Sequence, residues 1–308
     1  MDNNKETIAI NNPTDSSIET PPKVNFVILQ YNNSQDTIKC LASVLKSNYE
    51  NFSIIVVDNS SNPDHLKNTG EFVKNQLNIE LIESPVNTGY AGGNNLGFKK
   101  SIKNRAEYLF VLNNDTSIEA DTLSTLVKEA QLKKNKSIIA PVIKESKRKI
   151  YGGTINWLKS ELSHIEDLSN KNPDYLTGAG LLIPKEIIKK TKGFDERYFL
   201  YFEDADFCLR AKKEGFDLDV CRNSFIQHEV SSSTKKLGSS TVLRYHIRNS
   251  HLFNSIHAPW YFRVFLPIWS SKILIKQFVK LIIGINKEES KAIIKGVSDF
   301  YKGKWGKI

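Results

Sequence analysis

Short apolar runs alternate with helically spaced segments through the first half of the chain. Hydrophobic residues dominate the runs at 25–29, 53–57, 79–82, 109–112 and 138–142. That is the pattern of strands covered on both faces, as in a parallel sheet. Between them, Ser34 is placed as the N-cap of a helix carrying Ile38, Leu41, Val44 and Leu45. A glycine-rich stretch opens a helix through Phe98 and Ile102, and Leu123, Leu126, Val127 and Ala130 mark another. Alternating strands and helices predict an α/β fold: a mixed, mainly parallel sheet flanked by helices.

The second half reads differently. Residues 144–174 are polar and irregular, with a turn at Gly152-Gly153, and read as an insertion or lid. The run 176–183 resumes the apolar pattern; Pro184 fits the first turn of a helix and Gly193 its stop. A helix from about Asp204 ends at Gly215, and His228 closes a strand at 225–227. Residues 229–238 read as a mobile loop. From about Ser240 the chain turns helical, with Arg244, Tyr245, Arg248 and Asn249 on one face. Residues 259–285 make an amphipathic helix in which Lys272, Lys276 and Lys280 form a basic stripe suited to an anionic membrane surface. These C-terminal amphipathic helices occupy 240–308. Residues 1–23, rich in Asn, Thr, Ser and Pro, form a disordered tail without the apolar core of a signal peptide.

Composition narrows the partners. A net charge of +9 and a pI near 9.2 favour an anionic partner, whether nucleotide phosphates, nucleic acid or an acidic membrane. The lysines and arginines are scattered outside the C-terminal region, so nucleic acid is set aside. Three cysteines without Cys-x-x-Cys spacing argue against a disulfide framework or zinc site and for a reducing, cytoplasmic compartment. No uncharged apolar run approaches the roughly 18 residues of a spanning helix.

Chemistry gathers where apolar runs end. Asp58-Asn59-Ser60-Ser61 follows one strand and Asn113-Asn114-Asp115 another. Parallel strands bring both clusters to one carboxyl edge, where α/β sheets collect ligands. Asp115 beside two amides suits a hard divalent cation carrying a diphosphate. The stretch from Asn87 through Gly89, Gly92, Gly93 and Asn95 to Gly97 places glycines at a helix N-terminus, where phosphate is attracted. Its spacing does not match the Gly-x-Gly-x-x-Gly of nicotinamide-binding folds, which weakens an oxidoreductase reading. Farther on, Phe194, Tyr198, Phe199, Tyr201 and Phe202 precede Glu203, Asp204 and Asp206. Aromatic faces beside carboxylates suit a sugar.

Four segments, Val56–Ser60, Asn87–Asn95, Leu112–Asp115 and Gly193–Asp206 with His228, resemble in order and spacing the inverting family 2 glycosyltransferases of the GT-A type, in their rhamnosyltransferase-like branch. The resemblance implies a GT-A (Rossmann-like) catalytic domain over 24–239, with a nucleotide-sugar half at 24–116 and an acceptor half at 117–239. It makes Asp58 the acceptor of a uracil or thymine N3–H, favouring UDP- or dTDP-sugars, with Gln30, Asn32, Asn87, Gly89, Gly92, Asn95 and Asn114 around the donor. Asp115 matches the last position of the family's Asp-x-Asp motif and, with His228, would hold Mn2+ or Mg2+; Asn113 stands where the motif's first aspartate would be. Asp204 matches the catalytic base. Glu203, with Tyr198, Tyr201 and Phe202, would meet the acceptor, and Arg248 a phosphate or the acceptor. The implied function is transfer of a sugar, L-rhamnose from dTDP-rhamnose being favoured, to a glycan or polyprenyl-linked acceptor of a bacterial surface polysaccharide. The setting would be peripheral, on the inner membrane face, with self-association left open. A UDP-hexose or UDP-N-acetylhexosamine donor, or a catalytically weak sugar-nucleotide-binding protein, is the alternative.

Overall fold

The computed structural model describes residues 20–167, 172–229 and 239–308. Strands β1 (Val24–Gln30), β2 (Phe52–Asp58), β3 (Ile79–Glu83) and β4 (Tyr108–Asn113) are parallel neighbours in the order β3-β2-β1-β4. Helices α1 (Ser34–Val44), α2 (Pro63–Val73) and α3 (Gly89–Lys103) connect them. Beyond β4 the sheet becomes mixed. β10 (Gly180–Pro184) runs antiparallel between β4 and β6 (Ser137–Glu145), while β11 (Asp217–His228) lies parallel to β6 and carries the short β5 (Thr116–Ile118) on its far edge. With β7 (Arg148–Ile150) paired to β6, the described residues form a nine-stranded sheet.

Successive side chains on a strand face opposite layers. Phe26, Ile28, Ile54 and Phe110 pack with Leu41 of α1 and Leu123 and Leu126 of α4 (Thr122–Leu132). Val27, Leu109 and Val111 pack on the other side with Phe98 of α3 and Phe207 of α6 (Glu203–Lys213). Cover on both faces is why the runs lack polar breaks. The chain then adds α7 (Ser239–His257), α8 (Trp260–Ile282) and α9 (Lys287–Tyr301), with α5 (Lys185–Thr191) earlier.

Several boundaries differ from expectation. Asn33, not Ser34, caps α1, its side chain accepting from Asp36 N–H, while the Ser34 hydroxyl is buried beside His65. Segment 144–174 is not irregular throughout: β7 turns back on β6, and β8 (Gly153–Asn156) pairs with β9 (Glu161–His164) in a separate hairpin. Residues 20–23 of the expected tail are held, since Tyr49 donates to Pro22 O and Asn51 to Pro21 O; residues 1–19 lie outside the described residues. The expected loop at 229–238 likewise lies outside them from 230 on.

Candidate active site

The carboxyl ends of β1, β2 and β4 form one wall of a cavity of about 430 Å³. On β4 and just beyond it stand Asn113, Asn114 and Asp115. Asn114 is fixed to α1 by a hydrogen bond to the Thr37 hydroxyl, 2.9 Å long. Sheet pairing brings a second set of groups. The β5–β11 register puts His228 opposite Thr116, so its Nε2 lies 3.2 Å from Asp115 Oδ1. Its Nδ1 lies 2.6 Å from Oε1 of Glu145, the last residue of β6. Burial opposes charge on this imidazole, but Asp115 and Glu145 outweigh it and hold His228 above its ordinary pKa.

The opposite wall is the start of α6. Glu203 and Asp204 occupy its first turn. Asp204 Oδ2 accepts from Gly178 N–H at 3.0 Å and Oδ1 from Ala205 N–H at 2.7 Å. Among the described residues, Glu203 Oε2 has no hydrogen-bond partner. Burial raises the pKa of both, Glu203 well above its ordinary value, with the charge of Asp204 adding to the rise. Backbone donors favour the charged form of Asp204 more, with Gly178, Ala205 and its own N–H against a single backbone bond for Glu203, so of the two Glu203 holds its proton longer.

A strained loop delivers this turn. Phe199, Tyr201 and Phe202 all have left-handed backbones, with φ of 63°, 71° and 73°. Such residues persist only where surrounding contacts over-determine them. Asn249 Nδ2 lies within 3.0 Å of the carbonyls of Tyr198, Leu200 and Tyr201. The Arg248 guanidinium donates to Arg197 O, Tyr198 O and Gly306 O. Arg248 is wholly buried and does not line the cavity. Its expected contact with phosphate or acceptor is therefore corrected: this cation binds the loop that aims Glu203 and Asp204.

The glycine-rich turn is corrected too. Its leading N–H groups are already engaged: Thr88 N–H by Asn59 Oδ1, Gly89 N–H by Asn87 Oδ1 and Tyr90 N–H by Phe199 O. Gly89, at φ 76°, is glycine because a Cβ would overlap the Phe199 carbonyl. The turn thus welds the β2 end to the α6 loop and leaves no free amide cradle at those positions.

Of the remaining expected residues, Asn87, Gly89, Asn113, Asn114, Asp115, Tyr201, Glu203, Asp204 and His228 line the cavity. Gln30 and Asp58 lie behind its wall, where Gln30 Nε2 donates to Asp58 Oδ2 at 2.7 Å and Ser61 N–H to Oδ1 at 2.8 Å. Asn32 takes the Asn62 N–H. Gly92 sits under Thr88, and Asn95 holds the turn at Phe194 and Glu196. Tyr198 and Phe202 are core residues rather than a sugar platform. Sequence reading missed Glu145 and His164, both lining the cavity from the polar segment, and Tyr90, whose hydroxyl is 2.7 Å from Gly178 O. Glu145 was findable as the first acid beyond the 138–142 run.

The donor set suits a divalent cation only in part. Among the described residues no cluster of three or more His, Cys, Asp or Glu side chains is placed to hold a metal. Asp115 Oδ1 is nonetheless buried without an aligned hydrogen-bond partner, and it faces the cavity beside His228. One carboxylate and one imidazole fit a cation whose other ligands are phosphate oxygens and water.

The model of glycosyl transferase family 2 matches residues 26–191. The chain is 26% identical over 238 residues to the low-salt glycan biosynthesis hexosyltransferase of Haloferax volcanii, covering 74% of each. It is 24% identical over 237 residues to a dTDP-rhamnosyl transferase of Shigella flexneri, covering 73% of this chain and 78% of that one. A mannosyltransferase from Pyrobaculum calidifontis, solved with GDP-Man and Mn2+, superposes with a TM-score of 0.58 at 12% identity, covering 92% of this chain and 88% of the other. That last likeness is one of fold, the curled, mainly parallel sheet of the GT-A glycosyltransferases.

Proposed function

The chain belongs to glycosyl transferase family 2, and on that footing we propose that it transfers a sugar, with inversion, from a nucleoside diphosphate donor to a glycan or polyprenyl-linked acceptor. The observation that carries this reading is the shared cavity: Asp204 and Glu203 face the same space as Asp115 and His228. The Asp204 carboxylate, whose charged form two backbone donors favour against its burial, takes the proton of the acceptor hydroxyl as its oxygen attacks the anomeric carbon. The new bond forms opposite the breaking one, and the diphosphate oxygen leaves with the bonding pair, so the anomeric configuration inverts. Glu203, protonated, donates to the acceptor and orients it. Asp115 and His228 would hold Mn2+ or Mg2+, whose charge would offset that of the departing diphosphate.

The favoured donor is dTDP-L-rhamnose, supported by the rhamnosyl relative; the hexosyltransferase relative supports a UDP-hexose as the alternative. The setting is surface polysaccharide assembly at the inner membrane face, with the transferase region over 24–239. Thermal stability with UDP, dTDP, GDP, CDP and NAD, each with and without Mn2+, tests the donor class. A ligand at 100 times its Kd adds about 2.7 kcal/mol. A metal-dependent shift with dTDP or UDP, abolished in Asp115→Ala, is expected. No shift with either would overturn the donor assignment, and donor binding without turnover would leave a sugar-nucleotide-binding protein.

A further inference from the structure

Helix α8 is built inside out. The side it turns to the protein carries Leu266, Ser270 and Gln277, and its polar members are bonded there: Tyr301 donates to Ser270 and Ser290 to Gln277. The opposite side carries Trp260, Val264, Ile268, Ile275, Phe278 and Ile282, which are 52–84% exposed. At 100° per residue these form a single stripe along the helix. Lys272 and Lys276, both exposed, run along one edge and Arg263 lies on the other side. Residues 260–285 contain no Asp or Glu. Among the described residues nothing covers the stripe. Residues 1–19 offer little apolar matter to do so.

We propose that this stripe inserts, parallel to the surface, into the interfacial layer of an anionic lipid bilayer. Apolar side chains flanked only by cations are complementary to acyl chains beneath anionic phosphates. A second copy of the chain would bring the same cations and no acids from this helix. Crossing is not an option, since no described helix is long and apolar enough to span a membrane. The lysine stripe is therefore the border of the contact, and the aliphatic stripe is its centre. The first turn of α8 borders the hairpin beside the site: Tyr261 and Phe262 share a separate groove with Trp157 and Ser163 of the β8–β9 hairpin, whose His164 lines the catalytic cavity. This fits the proposed lipid-linked acceptor, but lipid binding itself does not depend on that reading.

The test is co-sedimentation of the full chain with phosphatidylglycerol–phosphatidylcholine vesicles, and with phosphatidylcholine alone, at low and high salt. Wild type is expected to partition best into anionic vesicles and to keep part of its binding in high salt, because apolar contacts are not screened. Ile268→Glu, Ile275→Glu and Ile282→Glu combined, at exposed positions that leave the melting temperature unchanged, should lower the partition coefficient at least about 100-fold. Undiminished binding of that variant, or complete release of wild type by salt, would overturn insertion. A wild-type dimer in lipid-free solution that the variant abolishes, with no vesicle binding by either, would make the stripe a protein interface and also overturn it. Transfer to a soluble acceptor, measured alongside, reports on the catalytic reading separately.

Discussion

Replacing Asp204 with Asn separates the two acids at the start of α6. The change preserves volume and one oxygen. That oxygen still accepts from Ala205 N–H, but an amide nitrogen now confronts Gly178 N–H, where Oδ2 stood at 3.0 Å. Stranding one donor costs about 1–3 kcal/mol. Part is offset because a charged group no longer has to be desolvated. A shift of about 2–4 °C in Tm per kcal/mol keeps the variant folded. Turnover should fall about 10²–10⁴-fold, since an amide cannot take the acceptor proton. That range equals about 3–5 kcal/mol of transition-state stabilisation. The assay is single-turnover transfer from saturating donor, with calorimetric titration of the nucleoside diphosphate to show that its affinity is kept. In wild type the rate should rise with pH through a pKa above the ordinary aspartate value, because burial raises Asp204 and only its charged form is a base. Turnover within tenfold of wild type, with that pH limb intact in the variant, would refute the assignment.

The other groups make distinct predictions. Glu203 has a folded pKa raised by burial, so it binds its proton more tightly folded than unfolded; stability conferred by the protonated form is full below the unfolded pKa of about 4.3 and is lost as pH rises toward the folded value. The Tm advantage of Glu203→Gln should therefore grow over that window, and a pH-independent difference would count against the buried acid. Glu145→Ala frees His228 Nδ1 and should weaken Mn2+ binding about 10–100-fold in a metal titration, with metal-free nucleotide affinity unchanged. Arg248→Lys cannot reach the carbonyls of Arg197, Tyr198 and Gly306 together, and should cost about 2–4 kcal/mol in denaturant unfolding without changing nucleotide Kd. A rise in Kd with unaltered stability would return Arg248 to the phosphate.

Much of the fold was legible because burial on both faces leaves a local mark. The runs at 25–29, 53–57, 109–112 and 138–142 fall within β1, β2, β4 and β6. Strands β7, β8 and β9 were not legible, since short hairpins at the sheet margin have half-exposed, polar sequences. The first part of β11 escaped for the same reason, and its register shifts between Cys221 and Phe225. Within the site, Asp115, His228, Glu203 and Asp204 stood out as polar residues at the ends of apolar patterns. Glu145 was marked only as the first acid beyond the 138–142 run; its place beside His228 comes from β6 pairing with β11.

The sequence by itself determined the alternation of strands and helices, and with it the carboxyl edge at which the Asp58 and Asp115 clusters gather. Hydrophobic period is a local property, and it suffices for that; that His228 joins Asp115 there follows from the β5–β11 register, a tertiary pairing. Tertiary structure decided which polar groups face the cavity and which hold the frame. Arg248 looks like a ligand-binding residue in sequence, yet it serves the loop around Phe199, and Gly89 lines the cavity while packing against that same loop. It also decided that the apolar side of α8 points outward, because a helix's periodicity marks two faces without saying which one the protein covers.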